Sequence, residues 1–277
     1  MATLLALVAA AAYGSADFLG GIAARRAALL AVALIAQAVG LVVVAFALLV
    51  HPEAFSLVAL RWGAIAGIAG AAGITLLYHA LTVGRMGVVS PVTALLAASI
   101  PVVVGISRGE HPMPLQEVGL LLAAIAILAI SASTDSDGRR EFATAGLWEA
   151  VLSGIAFGAF FTLLGLARHD APLLTLLGSR LASVFMLAVI VVATKTSLRI
   201  GGALAPLLLC GVLDMAANLL YILAARLQGI AIASVLTSLY PAATVFLAAL
   251  VLRERLSRVQ LGGVLCALVA VVFIAAG

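Results

Sequence analysis

The chain has 277 residues, of which 65% are hydrophobic and only 9% charged, with a formal net charge of +4. A soluble domain usually carries roughly 25% charged residues, so no water-facing surface can be assembled from this composition. The basic residues sit scattered at the ends of apolar runs, without a basic block or interleaved aromatics, which leaves a nucleic-acid partner unsupported. Cys210 and Cys266 both lie in apolar runs and form no disulfide framework.

A bilayer core about 30 Å thick needs roughly 20 helical residues. Charged or Pro/Gly-marked breaks recur at about that interval, predicting spans Thr3–Ala24, Leu29–Val50, Trp62–Val83, Val88–Ser107, Leu115–Ser133, Ala145–Ala167, Leu173–Thr194, Leu204–Ala225, Ile230–Leu252 and Val259–Ala276. The first could be mistaken for a signal peptide, but it lacks a basic leading region and stays apolar past Asp17 to Ile22, so it is read as a span.

The clearly polar stretch Thr134–Ala143 lies almost at the midpoint. It divides the chain into a first five-helix unit (1–134), a linker (135–144) and a second five-helix unit (145–277). A shift of about 143 residues places Tyr78 on Tyr221, Gln37 on Arg180 and Tyr13-Gly14 close to Phe157-Gly158. The fourth and ninth spans each carry a proline, Pro101 and Pro241, before a charged turn: Arg108-Gly109-Glu110 and Arg253-Glu254-Arg255. Beyond each turn stands a glutamine ahead of a glycine-bearing apolar helix, Gln116 with Gly119 and Gln260 with Gly262-Gly263. An odd number of helices per unit means the second copy enters the membrane from the opposite side. The expected fold is therefore an all-α integral membrane protein of about ten transmembrane helices, built as two inverted five-helix repeats with a site near the midplane.

Tyr13-Gly14-Ser15, Pro101 with Gly109-Glu110 and Gln116, and Pro241 with Arg253-Glu254-Arg255 and Gln260 together resemble the EamA-type branch of the drug/metabolite transporter superfamily. The resemblance covers nearly the whole chain and rests on repetition, since each motif alone is weak. It implies a secondary carrier of small metabolites with a central cavity lined mainly by the first, third and fourth helix of each half. It selects no substrate among amino acids, nucleotide-related metabolites, sugars and drugs.

Charge inside a membrane is the most informative feature of the residues themselves, because a carboxylate or guanidinium at the bilayer centre costs about 3 kcal/mol even on insertion scales. Asp17, Arg180 and Asp214 are such groups. Asn218 and Tyr221 follow Asp214 at successive helical turns and share its face, while Asp17 shares a face with Tyr13, Gly14, Gly20 and Gly21. On one reading the two aspartates bind a cationic group or carry a coupled proton, and Arg180 holds an anionic group. On the other, one carboxylate neutralises Arg180 as a structural pair. Two acids for one arginine leave a surplus negative charge in either case.

Gln37 is read as a cavity hydrogen-bonder or a helix-helix polar contact, and His79 beside Tyr78 as a titratable group near neutral pH. Pro91, Pro101 and Pro241 are read as kinks, whether hinges or passive bends. Glu110 and Glu254 are read as interfacial salt bridges with the neighbouring arginines.

Two aspartates on separate spans also describe an intramembrane aspartyl protease, but Gly211-Val-Leu-Asp214 lacks the second glycine of that pattern and no Pro-Ala-Leu segment is present. A non-transporting membrane scaffold is a further alternative. No Walker loop, catalytic triad, metal cluster or cofactor motif appears in the sequence, so it reads as a non-enzyme. The arginine count would place the odd-numbered loops in the cytoplasm, whereas the resemblance implies cytoplasmic termini, and orientation stays open. The composition fits a bacterial inner membrane by association.

Overall fold

The computed structural model describes residues 1–83, 86–131, 146–167, 171–251 and 258–276. The expected linker and the Arg253-Glu254-Arg255 turn fall outside these, as do the side chains of Tyr78, Pro91 and Pro241. The described residues form eleven helices: α1 (Ala2–Ala24), α2 (Leu29–Val50), α3 (Leu57–Val83), α4 (Met86–Ser107), α5 (Pro114–Ser131), α6 (Leu147–Leu166), α7 (Pro172–Ala193), α8 (Leu204–Gln228), α9 (Ile230–Thr237), α10 (Tyr240–Val251) and α11 (Arg258–Ala276). Helix is the expected state for such segments, because hydrocarbon offers no partner to a backbone N–H or C=O and only a helix closes those bonds within one segment.

Seven segments are long and apolar enough to cross a membrane, counting Ile230–Val251 as one. Three shorter apolar helices, Val92–Ser107, Pro114–Ala129 and Arg258–Ile274, complete the set among the described residues.

Two details differ from the sequence reading. The third helix begins at Leu57, ahead of the expected Trp62, because Arg61 is tolerated near a helix end. The ninth span is also not one helix: it breaks at Ser238-Leu239 between α9 and α10. Pro241 has no N–H to offer the carbonyl of Thr237, so the helical ladder cannot be carried through. Pro101, by contrast, sits within α4 without dividing it.

The helices pack where side chains are small. Gly63 and Gly67 lie one turn apart on α3 and press on the backbone carbonyls of Thr175 and Ser179 in α7, while Gly178 of α7 presses on the carbonyl of Leu60. A Cβ at any of these three positions would occupy backbone of the neighbouring helix, the close approach by which helices associate in lipid. Gly14 of α1 plays the same part against Tyr240, Ala243 and Thr244 of α10.

The pairing of elements crosses the midpoint of the chain. α1 packs along α8 and against α9 and α10, α6 packs along α3 and α4, α2 lies on α7, and α5 lies on α11. At the end of the bundle holding Thr3, the Thr3 hydroxyl meets Gln228 at 3.4 Å. At the other end Gly201 approaches the carbonyl of Arg26. We call these the first and second ends.

Candidate transport site

Arg180 projects from α7 into the bundle and is 3% exposed. Space for it comes from Gly40 on α2, where a Cβ would lie 3.1 Å from the arginine Nε. One turn before Gly40, Gln37 presents its Oε1 to Arg180 Nη1. The same oxygen accepts from the Ser183 hydroxyl at 3.0 Å. From α8, Asp214 Oδ2 accepts from Arg180 Nη2 at 2.6 Å. A planar fork of donors suits this task, since two nitrogens of one guanidinium can serve acceptors on two different helices. Arg180 thus joins α2, α7 and α8.

Asn218 stands one turn beyond Asp214, but its Nδ2 donates to the Asp214 backbone carbonyl at 2.7 Å and not to the carboxylate. Three atoms in this region are buried without a hydrogen-bond partner: Arg180 Nε, Asn218 Oδ1 and Tyr13 Oη. Such atoms are uncommon in folded proteins and mark positions where a water or ligand polar group would be accepted.

Asp17 lies in the body of α1, yet it is exposed. It is within electrostatic reach of Asp214, and Tyr240 is within reach of Asp17, so the carboxylate lies on the side of α1 that meets α8 and α10. Among the described residues no hydrogen bond or ion pair engages it. Gly21, one turn further along the same face, is also exposed, and a Cβ there would meet nothing within 4 Å. Gly20 on the adjoining side lies near Cys210.

An aromatic cluster closes one side of this region. The Tyr13 ring stands edge-on to Phe161 with centroids 5.9 Å apart, and Phe161 meets Tyr221 at 5.2 Å. Tyr221 is wholly buried; its hydroxyl donates to the Phe161 carbonyl at 2.7 Å and lies 2.9 Å from the Ser234 hydroxyl. Its polar capacity is spent within the protein, so it pins α8 to α6 and α9. His79 is exposed, with Nδ1 3.7 Å from Glu149 Oε1 at the start of α6.

Of the residues singled out in the sequence, the fold gathers Arg180, Asp214 and Gln37 by direct contact, adds Asn218 through the Asp214 backbone, and brings Asp17 and Tyr13 within electrostatic reach. Glu110 departs from its reading as an interfacial salt bridge: its carboxylate accepts the backbone N–H groups of Ile230 and Ala231 at 2.7 and 2.8 Å. Glu53, which the sequence reading passed over, does the same for Leu173 and Leu174 at 3.0 and 2.9 Å. Ser183 and Gly40 were passed over as well. Gly40 carried no signal that it makes room for an arginine 140 residues away in the chain, and Ser183 only the weak one of lying one turn after Arg180.

A bundle of apolar helices that buries a paired charge cluster defines a polytopic membrane protein with a polar interior. Residues 144–276 match the EamA-like transporter family. A solved crystal structure superimposes with a TM-score of 0.79 over 98% of this chain and 95% of its own, at 17% sequence identity. That likeness carries the fold alone. No curated protein matches the chain.

Proposed function

We propose that the protein is a secondary carrier of small metabolites working by alternating access, with ten membrane crossings arranged as two inverted five-helix units. The exchange of partners across the midpoint supports this arrangement: α1 lies on α8, α9 and α10, and α6 lies on α3 and α4, as two oppositely oriented copies would. The polar cluster then falls between the halves, where such carriers place their site.

The observation that carries the site assignment is charge bookkeeping. Asp214 and Gln37 occupy the Arg180 guanidinium, and Asp17 stands within electrostatic reach of Asp214 with no ion pair of its own among the described residues. A surplus carboxylate within a span recruits either a proton or an ammonium group, and in a partly water-excluded site only one of them at a time. Competition of this kind couples the two fluxes. Asp17 is the exchanging group and Arg180 the fixed counter-charge that holds Asp214 in place. Tyr13 Oη and Asn218 Oδ1 are further polar contacts for an amine-bearing metabolite.

Reconstitution in liposomes with a lumenal pH dye tests this reading against a panel of amines, amino acids, sugars and organic anions. Wild type moves protons when an amine-bearing compound is added, and Asp17→Asn abolishes the coupled proton movement. Equal coupling in wild type and Asp17→Asn sinks the role of Asp17. Flux of a neutral or anionic compound alone sinks the amine preference. The protease reading is not favoured: Asp214 is occupied by Arg180, whereas aspartyl hydrolysis needs both carboxylates on one water.

A further inference from the structure

Glu53 and Glu110 lie in the loops after α2 and α4, and each sends its carboxylate across the midpoint of the chain to a helix beginning there. Both grips are bidentate. Glu53 takes two backbone N–H groups at the start of α7, and Glu110 takes two at the start of α9, with the same spacing of 120 and 121 residues between carboxylate and amides. An anionic cap on free N–H groups is among the stronger surface-level interactions, because the bonds are charge-assisted and the helix terminus is partly positive. Both grips are at the first end of the bundle, where Thr3 meets Gln228.

The helix that Glu110 holds is built to move. α9 has eight residues, with Gly229 at φ +85° before it and the Ser238-Leu239 break after it, so a joint stands at each end. Gly229 and Gly105 both pack directly under the Glu110 carboxylate, where a Cβ would come within 2.7 Å and 2.6 Å of it, respectively. Every residue from Ile230 to Ser238 is buried, so α9 is packed against its neighbours along its whole length. Toward the second end, Asp17 and Gly21 stand exposed on α1. The buried hydroxyls of Thr237 and Ser238 have no partner, a cost tolerated at the break itself.

We propose that Glu53 and Glu110 are a pair of latches by which the first half of the chain holds α7 and α9 of the second half, keeping the first end closed while the second end is open. Opening the first end requires α9 to swing about its two joints, and the Glu110 grip to part. The two carboxylates therefore set the balance between the two states without touching substrate. This rests on the alternating-access reading above, and its test reads shape rather than flux, so that the two can fail separately.

The test places single cysteines in a chain whose Cys210 and Cys266 are replaced by Ala, held in nanodiscs so that both ends meet the solvent. Ser234→Cys reports on the closed end and Gly21→Cys on the open one, each through its rate of reaction with a membrane-impermeant maleimide. A glutamine offers one acceptor and one donor to two N–H groups, so Glu53→Gln with Glu110→Gln breaks half of each grip and removes its charge. The double variant raises labelling at Ser234→Cys on the order of tenfold and lowers it at Gly21→Cys, as expected when a two-state balance is tilted. Glu110→Gln alone shifts both rates in the same directions by less, and serves if the double variant does not yield a monodisperse protein. Unchanged rates overturn the proposal. So does a rise at both reporters, which is what mere loosening of the bundle would give. Asp17→Asn changes coupled flux under the preceding proposal whichever way the labelling falls.

Discussion

Arg180 donates a hydrogen bond to Gln37, and the two residues are 143 positions apart, the same interval that aligns the two halves of the sequence. α2 and α7, the second helices of the two halves, supply that contact. α7 carries an arginine where it meets a glutamine of α2, and Asp214 of α8 balances the guanidinium. A second pair behaves alike: Cys266 of α11 bonds the carbonyl of Leu122 in α5, 144 residues away.

Asp214→Ala removes the carboxylate and leaves Arg180 buried and uncompensated, which costs about 3–5 kcal/mol for a buried pair broken on one side. The unfolding midpoint of the purified protein in detergent falls steeply. Asp214→Leu combined with Arg180→Met restores most of it, because an apolar pair of similar volume needs no counter-charge. If the double variant is no more stable than Asp214→Ala, the pair is not the unit of stability argued here.

Arg180→Lys keeps the charge and loses the fork. An ammonium is a point charge on a flexible stem and cannot hold the acceptors of α2 and α8 with the same fixed geometry. The expected result is a destabilisation of about 1–3 kcal/mol, the scale of one lost hydrogen bond to a charged group. A midpoint equal to wild type would show that the Gln37 contact contributes nothing.

Gly14→Ala brings a Cβ into the backbone of α10 near the Tyr240 carbonyl. Overpacking of a rigid contact costs about 1–3 kcal/mol. Gly21→Ala is the control, because nothing stands within 4 Å of its Cβ, and it leaves stability unchanged or slightly raised. Equal effects at the two glycines would contradict the α1–α10 contact. The hydrogen bond from the Thr244 hydroxyl to the Gly14 carbonyl at 3.0 Å gives a second handle, and Thr244→Val weakens the same crossing by about 1 kcal/mol.

Pro241→Ala supplies the N–H that the Thr237 carbonyl lacks and lets α9 and α10 join. The variant is more stable to heat than wild type and turns over more slowly in the liposome assay, because a continuous helix cannot pivot at Ser238-Leu239. Unchanged turnover with raised stability would make the break a passive kink.

The membrane character, the helical state and most helix limits were legible in the sequence, because each depends on local composition over about 20 residues and on the absence of water in the bilayer core. Charge within the spans was legible for the same reason: Asp17, Arg180 and Asp214 are conspicuous wherever they point. The spacing of proline, glutamate and glutamine carries the expectation of a repeat.

What the tertiary structure decided is which groups meet. Composition offered two acids for one arginine and could not divide them; the packing of α7 against α2 and α8 gives Arg180 to Asp214 and Gln37, and leaves Asp17 without an ion pair among the described residues. Tyr221 looked like a cavity residue by helical phase, but its hydroxyl is taken by Phe161 and Ser234 on other helices. Glu110 looked like a partner for neighbouring arginines, and instead caps a helix that begins 120 residues later. Hydrogen bonds and ion pairs act over a few ångströms of space, which chain separation does not encode, so the membrane set the kind of fold and the crossing of the helices set the chemistry of its interior.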